Sequence, residues 1–260
     1  MDITETQFRH ISSVLPRQRG NVKVTNLQFL NALLYVAEHG CKWRGLPRRF
    51  GSWHTIYTRM NRWSKNGVLD QVFEQLQREQ IVHIRIEAVK LDSTTVKVHP
   101  DGTGAFKKNG PQAIGKSRGG WTTKIHMVAA NARTAITFAL SPGQASDAVE
   151  GRELLGSIGP LPAPLHLIMD GAYDDNQTLQ LVLDFGYIPV VPPRPNRLDA
   201  WQYDKALYRK RNEIERLFRR LKGFRRIFSR FDKLDVVFLG FLNFALIVEA
   251  LRYLNSVNTP

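Results

Sequence analysis

The sequence predicts a mixed α/β protein whose sheet is preceded by a helical region, and three observations support this. The first 80 residues carry apolar side chains at helical spacing, as in NLQFLNALLYVAEHG, which ends on Gly40. From residue 85 the pattern changes to β-branched and apolar runs typical of strands, beginning with AVKLDSTTVKVH. Helical stretches then follow or separate the later strands, which indicates helices packed on a mixed sheet.

The helical region is predicted to form a separate domain over residues 1–82. Within it, SWHTIYTRMNRWSKNG reads as a helix with Ser52 as N-cap and Gly67 just past its end. The polar and basic face of that helix carries His54, Arg59 and Arg62, which we take as candidate DNA contacts. A helix, a turn and a second helix with a basic outer face is typical of a helix-turn-helix domain. A small helical bundle with a solvated face is the alternative.

The second predicted domain spans residues 83–260 and contains the strands. WTTKIHMVAANA and TAITFALSPG resemble a hairpin, LHLIMD and YIPVVPP read as strands, and NQTLQLVLDFG between them reads as a helix. YRKRNEIERLFRRLK is predicted to be one long helix. The apolar stretch from Val236 to Leu251 is interrupted by Asn243 and Glu249, so we interpret it as a buried core helix and not a membrane span.

The composition indicates an acidic partner. The chain has 260 residues and a net charge of +14, a field that favours nucleic acid. The net charge is +6 over residues 1–80, zero over 81–193 and +9 over 194–230. A long Gly/Lys loop over residues 102–120 adds Lys116 and Arg118 as candidate DNA contacts. The single cysteine, Cys41, and an N-terminus without a signal-peptide pattern predict a cytoplasmic protein with no disulfides.

Four polar residues share one edge of the predicted basic helix. With about 100° per residue, Tyr208, Arg211, Glu215 and Lys222 fall within an arc of roughly 60°. They border the apolar stripe, which places the Glu215 carboxylate at the edge of the buried face. Glu213 instead lies beside arginines at i−4 and i+3, so we interpret it as a surface salt-bridge partner.

Two aspartates elsewhere lie in positions where a lone carboxylate would be costly to bury. Asp92 lies within the first predicted strand and Asp170 closes the LHLIMD strand. Together with Glu215 they form a set of three carboxylates, more than a general acid–base pair requires. Such a set suits two hard cations that activate a nucleophile and stabilise a leaving oxygen. We therefore predict two Mg²⁺ ions, with Mn²⁺ as a possible substitute.

The chain resembles the DDE transposases of bacterial insertion sequences, most strongly the insertion-sequence-five (IS4/IS5-like) family. Tyr208, Arg211, Glu215 and Lys222 match that family's Y-x2-R-x3-E-x6-K signature, and LDSTTVKVH, GKSRGGWTTKIH and MDGAYDDN resemble its other blocks, in order. The resemblance implies a ribonuclease-H-like catalytic fold with a mixed five-stranded sheet. It implies Asp92, Asp170 and Glu215 as catalytic and metal-binding acids.

The resemblance also implies an activity. The protein would bind the terminal inverted repeats of its element, cut the DNA at the ends and join the 3′-OH ends to target DNA by transesterification. Tyr208, Arg211 and Lys222 would hold DNA near the cleaved bond, with Arg219 contacting DNA farther along. Because two ends must be joined, a homodimer on DNA is expected. The alternatives are a DNA-binding protein with a non-catalytic transposase fold, or a general two-metal nuclease.

Several other charged residues receive simpler interpretations. Asp174 and Asp175 are predicted to cap the helix that follows them. His126 is given little weight as a catalytic group, because a hard-cation site does not need histidine. Arg226 and Arg230 are predicted to extend the DNA-contacting charge beyond the signature.

Overall fold

The computed structural model describes residues 2–82, 86–160 and 163–257. The chain divides into two compact units. The first comprises residues 1–82, 98–112 and 220–260, and the second comprises residues 83–97 and 113–219. The predicted domain boundary at 82/83 adjoins the undescribed residues 83–85. The C-terminal part of the second predicted domain groups with the N-terminal helices, because its last helix packs its apolar side chains against them.

The second unit is built on a mixed sheet whose long strands follow in the order β4-β3-β1-β5-β6. These strands are β1 (Ala88–Val98), β3 (Gly120–Ala129), β4 (Ala135–Pro142), β5 (Leu165–Met169) and β6 (Tyr187–Val190). The first three pair antiparallel, whereas β5 pairs parallel to both β1 and β6. A short strand, β2 (Gly115–Ser117), forms a hairpin with the start of β3. This order, with one antiparallel hairpin edge, is the predicted ribonuclease-H-like arrangement.

Helices cover both faces of this sheet. Helices α5 (Asp147–Ile158) and α6 (Asn176–Asp184) enclose the larger core, which contains Leu91, Leu167 and Tyr173. A smaller core on Ala88, Ile168 and Val190 is covered by residues of helix α7 (Lys205–Tyr208) and its approach. A 3₁₀ turn over Arg209–Arg211 leads from α7 into helix α8 (Asn212–Gly223).

The first unit is helical apart from a two-residue strand, β7 (Ser229–Arg230), among its described residues. Its helices are α1 (Glu5–Ser12), α2 (Asn26–His39), α3 (Trp53–Lys65), α4 (Val68–Val82), α9 (Arg225–Phe228) and α10 (Asp235–Val257). Helices α3 and α4 both pack on α10. Gly240 of α10 permits a close approach, since a Cβ there would lie 2.3 Å from the Ser64 hydroxyl. The prediction that the apolar C-terminal stretch is a core helix is confirmed.

Helix α10 is also long and apolar enough to cross a membrane by length and composition. However, 78% of its most apolar window is buried inside the protein. A mostly buried helix of this kind is expected in the core of a water-soluble fold, so its hydropathy alone does not indicate a membrane span.

Four sequence-based expectations differ from the structure. The described residues contain seven strands and not five, because two short strands, β2 and β7, add to the five long ones. Helix α5 was not predicted. The basic run is not one helix, because the 3₁₀ turn at Arg209–Arg211 divides it. The connection from α2 to α3 spans residues 40–52 with two 3₁₀ turns, longer than the tight turn of a helix-turn-helix.

Candidate active site

The three predicted acids lie on three different elements of the second unit. Asp92 is in the middle of β1, and Asp170 follows the last residue of β5. The parallel pairing of Leu91 with Met169 places the two aspartates side by side on neighbouring strands. Glu215 is in the first turn of α8. The sheet register and one helix therefore bring together carboxylates that are 45 or more residues apart in the sequence.

A single guanidinium group contacts all three carboxylates. Arg211 Nη1 lies 2.6 Å from Asp92 Oδ2 and 3.3 Å from Asp170 Oδ2, and Arg211 Nη2 lies 2.5 Å from Glu215 Oε1. The 3₁₀ turn before α8 carries Arg211, so the guanidinium reaches the two strands as well as its own helix. The three carboxylates therefore converge on the Arg211 guanidinium.

The electrostatics of the site centre on Asp92. Burial raises the pKa of Asp92 to about 6, and the charges of Asp170 and Glu215 add to that effect. A hydrogen bond from the Ser93 backbone N–H and the charge of Arg211 oppose it. Burial disfavours the charge of Arg211, yet the anionic groups around it, Asp92 first, raise its pKa.

The donor set fits hard divalent cations by its chemistry. Three carboxylates from separate elements that contact one cation supply the oxygen ligands that Mg²⁺ and Mn²⁺ prefer. As the side chains stand, with Arg211 between them, no group of three or more His, Cys, Asp or Glu side chains in the described residues is placed to hold a metal. The residues that would hold a metal are Asp92, Asp170 and Glu215.

The remaining signature residues have different environments. Tyr208 packs on the smaller core, 5.4 Å from the ring of Tyr203, and burial raises its pKa. Arg219 is exposed on α8. Lys222 is on the same helix but belongs to the first unit, and burial lowers its pKa.

Glu213 is not the surface partner that the sequence predicted. Its Oε2 lies 2.6 Å from Nζ of Lys90, a β1 residue whose side chain is 4% exposed. Lys90 also donates to the carbonyl oxygens of Ala88 and Ala130. Arg216, the expected partner at i+3, donates instead to Asn212. Glu213 therefore neutralises a buried lysine and fixes α8 on the strand that carries Asp92.

Two further arginines, Arg226 and Arg230, also have structural roles. Arg226 and Arg230 are buried in the first unit and pair with Asp232 and Asp235, so the prediction that they contact DNA is wrong. The guanidinium groups of these arginines lie over aromatic rings, a tertiary contact that sequence spacing does not reveal, which explains the difference.

The two aspartates after the second acid are used differently from each other. Asp175 caps α6 by accepting from Thr178 N, as predicted. Asp174 does not cap the helix. It is buried and accepts from Arg194 N at 2.7 Å and from Arg197 Nη1 at 2.6 Å. These bonds tie the loop after β6 to the segment that follows Asp170.

Sequence reasoning missed a polar network on the opposite face of the sheet from Asp92. Asp147 accepts hydrogen bonds from Ser93 Oγ at 2.8 Å and from Lys124 Nζ at 3.0 Å. His126, directly across the strands from Ser93, is fully buried and contacts Ser141 Oγ at 2.8 Å. Burial lowers the pKa of His126 to about 4, so it is neutral at physiological pH. The hydrogen bond from Ser93 to Asp147 in this network fixes Ser93, whose backbone N–H donates to Asp92.

A basic groove lies in the first unit, between the segment from Pro16 to Asn26 and helix α3. Its volume is about 580 Å³. None of its lining residues is acidic, and five are cationic: Arg17, Arg19, Lys23, Arg59 and Arg62. Burial and the charge of Arg62 lower the pKa of Arg59, which donates to the carbonyl oxygens of Val24 and Thr25. His54 is exposed on α3 but does not line the groove.

Sequence comparison decides the family. Residues 85–248 match the family described as "Transposase DDE domain". The chain belongs to the DDE transposase family. Residues 3–73 match a second family, described as "Putative transposase of IS4/5 family". The predicted resemblance to DDE transposases of the IS4/IS5 type is confirmed, and the matched regions include Asp92, Asp170 and Glu215.

Individual relatives agree with this assignment of the transposase family. A protein of Brucella ovis, "Putative transposase for insertion sequence element IS6501", is 30% identical over half of this chain and 99% of its own length. "Uncharacterized protein y4sN" of Sinorhizobium fredii is 32% identical over 42% of this chain and 86% of its own length.

Solved transposase structures show only a distant likeness. The piggyBac transposase in a synaptic complex with hairpin DNA aligns with a TM-score of 0.40 at 11% identity, over 75% of this chain and 50% of its own. The Mos1 mariner paired-end complex with Mn aligns with a TM-score of 0.31 at 11% identity, over 96% of this chain and 87% of its own. The chain spans half the length of the piggyBac protein.

The buried ion pair between Lys90 and Glu213 predicts a stability effect separate from catalysis. We expect Glu213→Gln to lower the free energy of unfolding by about 3–5 kcal/mol, because it leaves a buried ammonium without its carboxylate. Urea denaturation measures this. Lys210→Gln, which breaks the exposed pair with Glu87, is the matched control and should change stability little. Equal effects of the two substitutions would contradict the burial argument.

The raised pKa of Asp92 predicts a pH-dependent gain from its removal. Because the folded-state pKa of about 6 exceeds the unfolded value, ionisation of Asp92 disfavours folding, and this penalty develops as pH rises from 4 to 6. In metal-free buffer, Asp92→Asn should therefore be more stable than wild type above pH 6, by about 1–3 kcal/mol. The difference should vanish near pH 4, as measured by denaturation at several pH values.

Asp175 supplies a control of opposite sign. Burial alone would raise its pKa, but hydrogen bonds from Thr178 and the charge of Arg152 outweigh burial and lower it. Asp175→Asn should therefore be less stable than wild type at neutral pH, with the deficit shrinking as pH falls below 4. A pH-independent difference for Asp92→Asn would show that its carboxyl is not perturbed as described.

Proposed function

We propose that this DDE transposase binds the terminal inverted repeats of its own insertion sequence, hydrolyses phosphodiester bonds at the element ends and joins the freed 3′-OH ends to target DNA. The observation that carries the proposal is the contact of one guanidinium with all three carboxylates of the family triad. The partner is double-stranded DNA, bound by a homodimer, because two ends must be processed together.

In this proposal, Asp92, Asp170 and Glu215 hold two divalent cations, Mg²⁺ or Mn²⁺. When bound, such ions activate a water or a 3′-OH as the nucleophile and stabilise the leaving oxygen. The rigid sheet fixes the two aspartates, and the contact between Lys90 and Glu213 fixes α8, so the third acid is held in register with the strands. Arg211 contacts all three carboxylates and so holds them together.

The chain offers two surfaces for the rest of the DNA. The basic groove of the first unit has five cationic side chains and no acid to neutralise them. In the second unit, Lys116 and Arg118 are exposed at the hairpin of β2 and β3, and Arg219 is exposed on α8. Phosphate contacts of this kind position a duplex, whereas base contacts specify its sequence.

A general two-metal nuclease is the second candidate, since the same triad would serve it. Equal rates of cutting on the element's ends and on unrelated DNA would favour the nuclease. A DNA-binding protein without catalysis is disfavoured by the intact triad.

The triad predicts a selective loss of cleavage. With Mg²⁺ and DNA carrying the element's own ends, Glu215→Gln should reduce strand cleavage by about a hundredfold or more, since changes outside the ligand set alone cost up to about that much. End binding, measured in Ca²⁺, should persist. The measurement is product formation on labelled DNA under single-turnover conditions.

Glu87→Gln is the matched control, because it removes another exposed carboxylate of the same unit. It should cut like wild type. If Glu215→Gln cuts normally while Glu87→Gln fails, the assignment of the third acid is wrong. If wild type binds the ends without cutting, the non-catalytic alternative replaces the proposal.

The basic groove predicts a salt-dependent binding defect. Arg17→Ala and Arg62→Ala should each weaken binding of end DNA and reduce the slope of log K against log salt by about one, the loss of one phosphate contact. Arg78 is an exposed arginine of α4 that does not line the groove and pairs with Glu74. Arg78→Ala should therefore leave the slope unchanged. Fluorescence anisotropy over a salt series measures both. Identical slopes in all variants would exclude the groove as a phosphate contact.

A further inference from the structure

The hairpin of β2 and β3 presents an aromatic side chain to solvent on a basic tip. Trp121 is 48% exposed, and Lys116, its register partner, places Nζ 5.8 Å from the centre of its ring. Arg118 is exposed in the turn between the strands. An isolated exposed aromatic is ordinary on a protein surface. An indole flanked by two cations is the combination that binds nucleic-acid bases and phosphates.

The hairpin tip is held in one conformation. Ser117 Oγ accepts hydrogen bonds from Gly119 N at 3.2 Å and from Thr122 Oγ1 at 2.9 Å. Gly120 has a φ of +92°, which L side chains rarely adopt. At the base of the hairpin, Gly143 N donates to Thr122 O, and a Cβ on Gly143 would overlap the Thr122 side chain. The indole is therefore presented by a pre-ordered structure, which limits the entropy lost on binding.

The sheet register fixes where this tip lies relative to the acids. Asp92 pairs with Met127 on β3, and Trp121 lies six residues before Met127 on the same strand. At about 3.3 Å per residue, the indole is about 20 Å from the acids along the strand. The hairpin projects in the direction in which β1 and β5 run toward their carboxyl ends, the side of the sheet where Asp170 lies.

We propose that Trp121 stacks on a DNA base turned out of the duplex about six nucleotides from the cleaved phosphate, while Lys116 and Arg118 hold the adjacent phosphates. The spacing follows because about 20 Å corresponds to about six steps of 3.4 Å in a duplex. The inference rests on the proposed function, since it takes the DNA bound at the triad as its reference point. It assigns Trp121, which lies outside the four-residue signature, as a contact for the element end.

The test uses the full chain and duplexes of the element end with 2-aminopurine placed singly at positions four to eight from the cut. Binding is measured in Ca²⁺ and cleavage in Mg²⁺. We expect a fluorescence change at about position six with wild type, its loss with Trp121→Ala and its partial retention with Trp121→Phe. Trp121→Ala should weaken end binding about 5- to 150-fold, the effect of losing one stacked base.

Leu183→Ala is the matched control, because Leu183 is a 55% exposed apolar residue of α6 in the same unit. It should leave both fluorescence and affinity unchanged. Trp121→Phe keeps an aromatic ring at this position, so it controls for any loss of thermal stability caused by Trp121→Ala. Lys116→Ala and Arg118→Ala should each reduce the salt slope by about one.

The outcomes separate the two proposals. If wild type cuts the ends and Trp121→Ala matches it in fluorescence, affinity and rate, the stacking contact is overturned and the transposase function stands. If wild type binds without cutting and the fluorescence change still depends on Trp121, the contact stands and the catalytic proposal falls. If Trp121→Ala changes only self-association in sedimentation, the residue is a protein contact and the proposal is overturned.

Discussion

Convergence of three carboxylates on one guanidinium is the constraint on which the candidate site of the second unit depends. Asp92, Asp170 and Glu215 come from a strand interior, a strand end and a helix, so no local sequence feature keeps them together. They stay close because β1 and β5 are in parallel register and because a guanidinium supplies the opposing charge. Burial first, and then the charges of Asp170 and Glu215, raise the pKa of Asp92, so the arrangement costs stability.

The support for this arrangement comes from polar groups on both faces of β1. On one face, buried Lys90 pairs with Glu213 and fixes α8 against the strand. On the other, Ser93 donates to Asp147, which also accepts from Lys124, while the Ser93 backbone donates to Asp92. Because alternate residues of a strand face opposite sides, consecutive positions of β1 can serve both the site and its support. A buried charge without its partner would destabilise the strand that carries the first acid.

Much of the fold and of the candidate site could be predicted from the sequence. Periodicity and strand composition located the long strands, and the apolar stripe of the basic helix correctly placed Ile214 and Leu217 in the core. Glu215, predicted at the edge of the buried face, is exposed. Helix α5 escaped notice because DAVEGRELLGSI has a weak apolar stripe and two glycines. The pairing of Glu213 with Lys90 could not be predicted, since spacing along one helix reveals only partners on that helix.

The distribution of positive charge shows the same limit. Residues 194–230 have a net charge of +9, which the sequence alone assigns to a DNA-binding surface. The structure divides those cations, because Arg226 and Arg230 are buried and pair with Asp232 and Asp235, whereas Arg219 remains exposed. Net charge therefore counts cations that cannot reach a phosphate. A concave surface with several cations and no acid, as in the groove of Arg17 and Arg62, is the stronger physical argument for an anionic partner, because nothing on that surface already balances the charge.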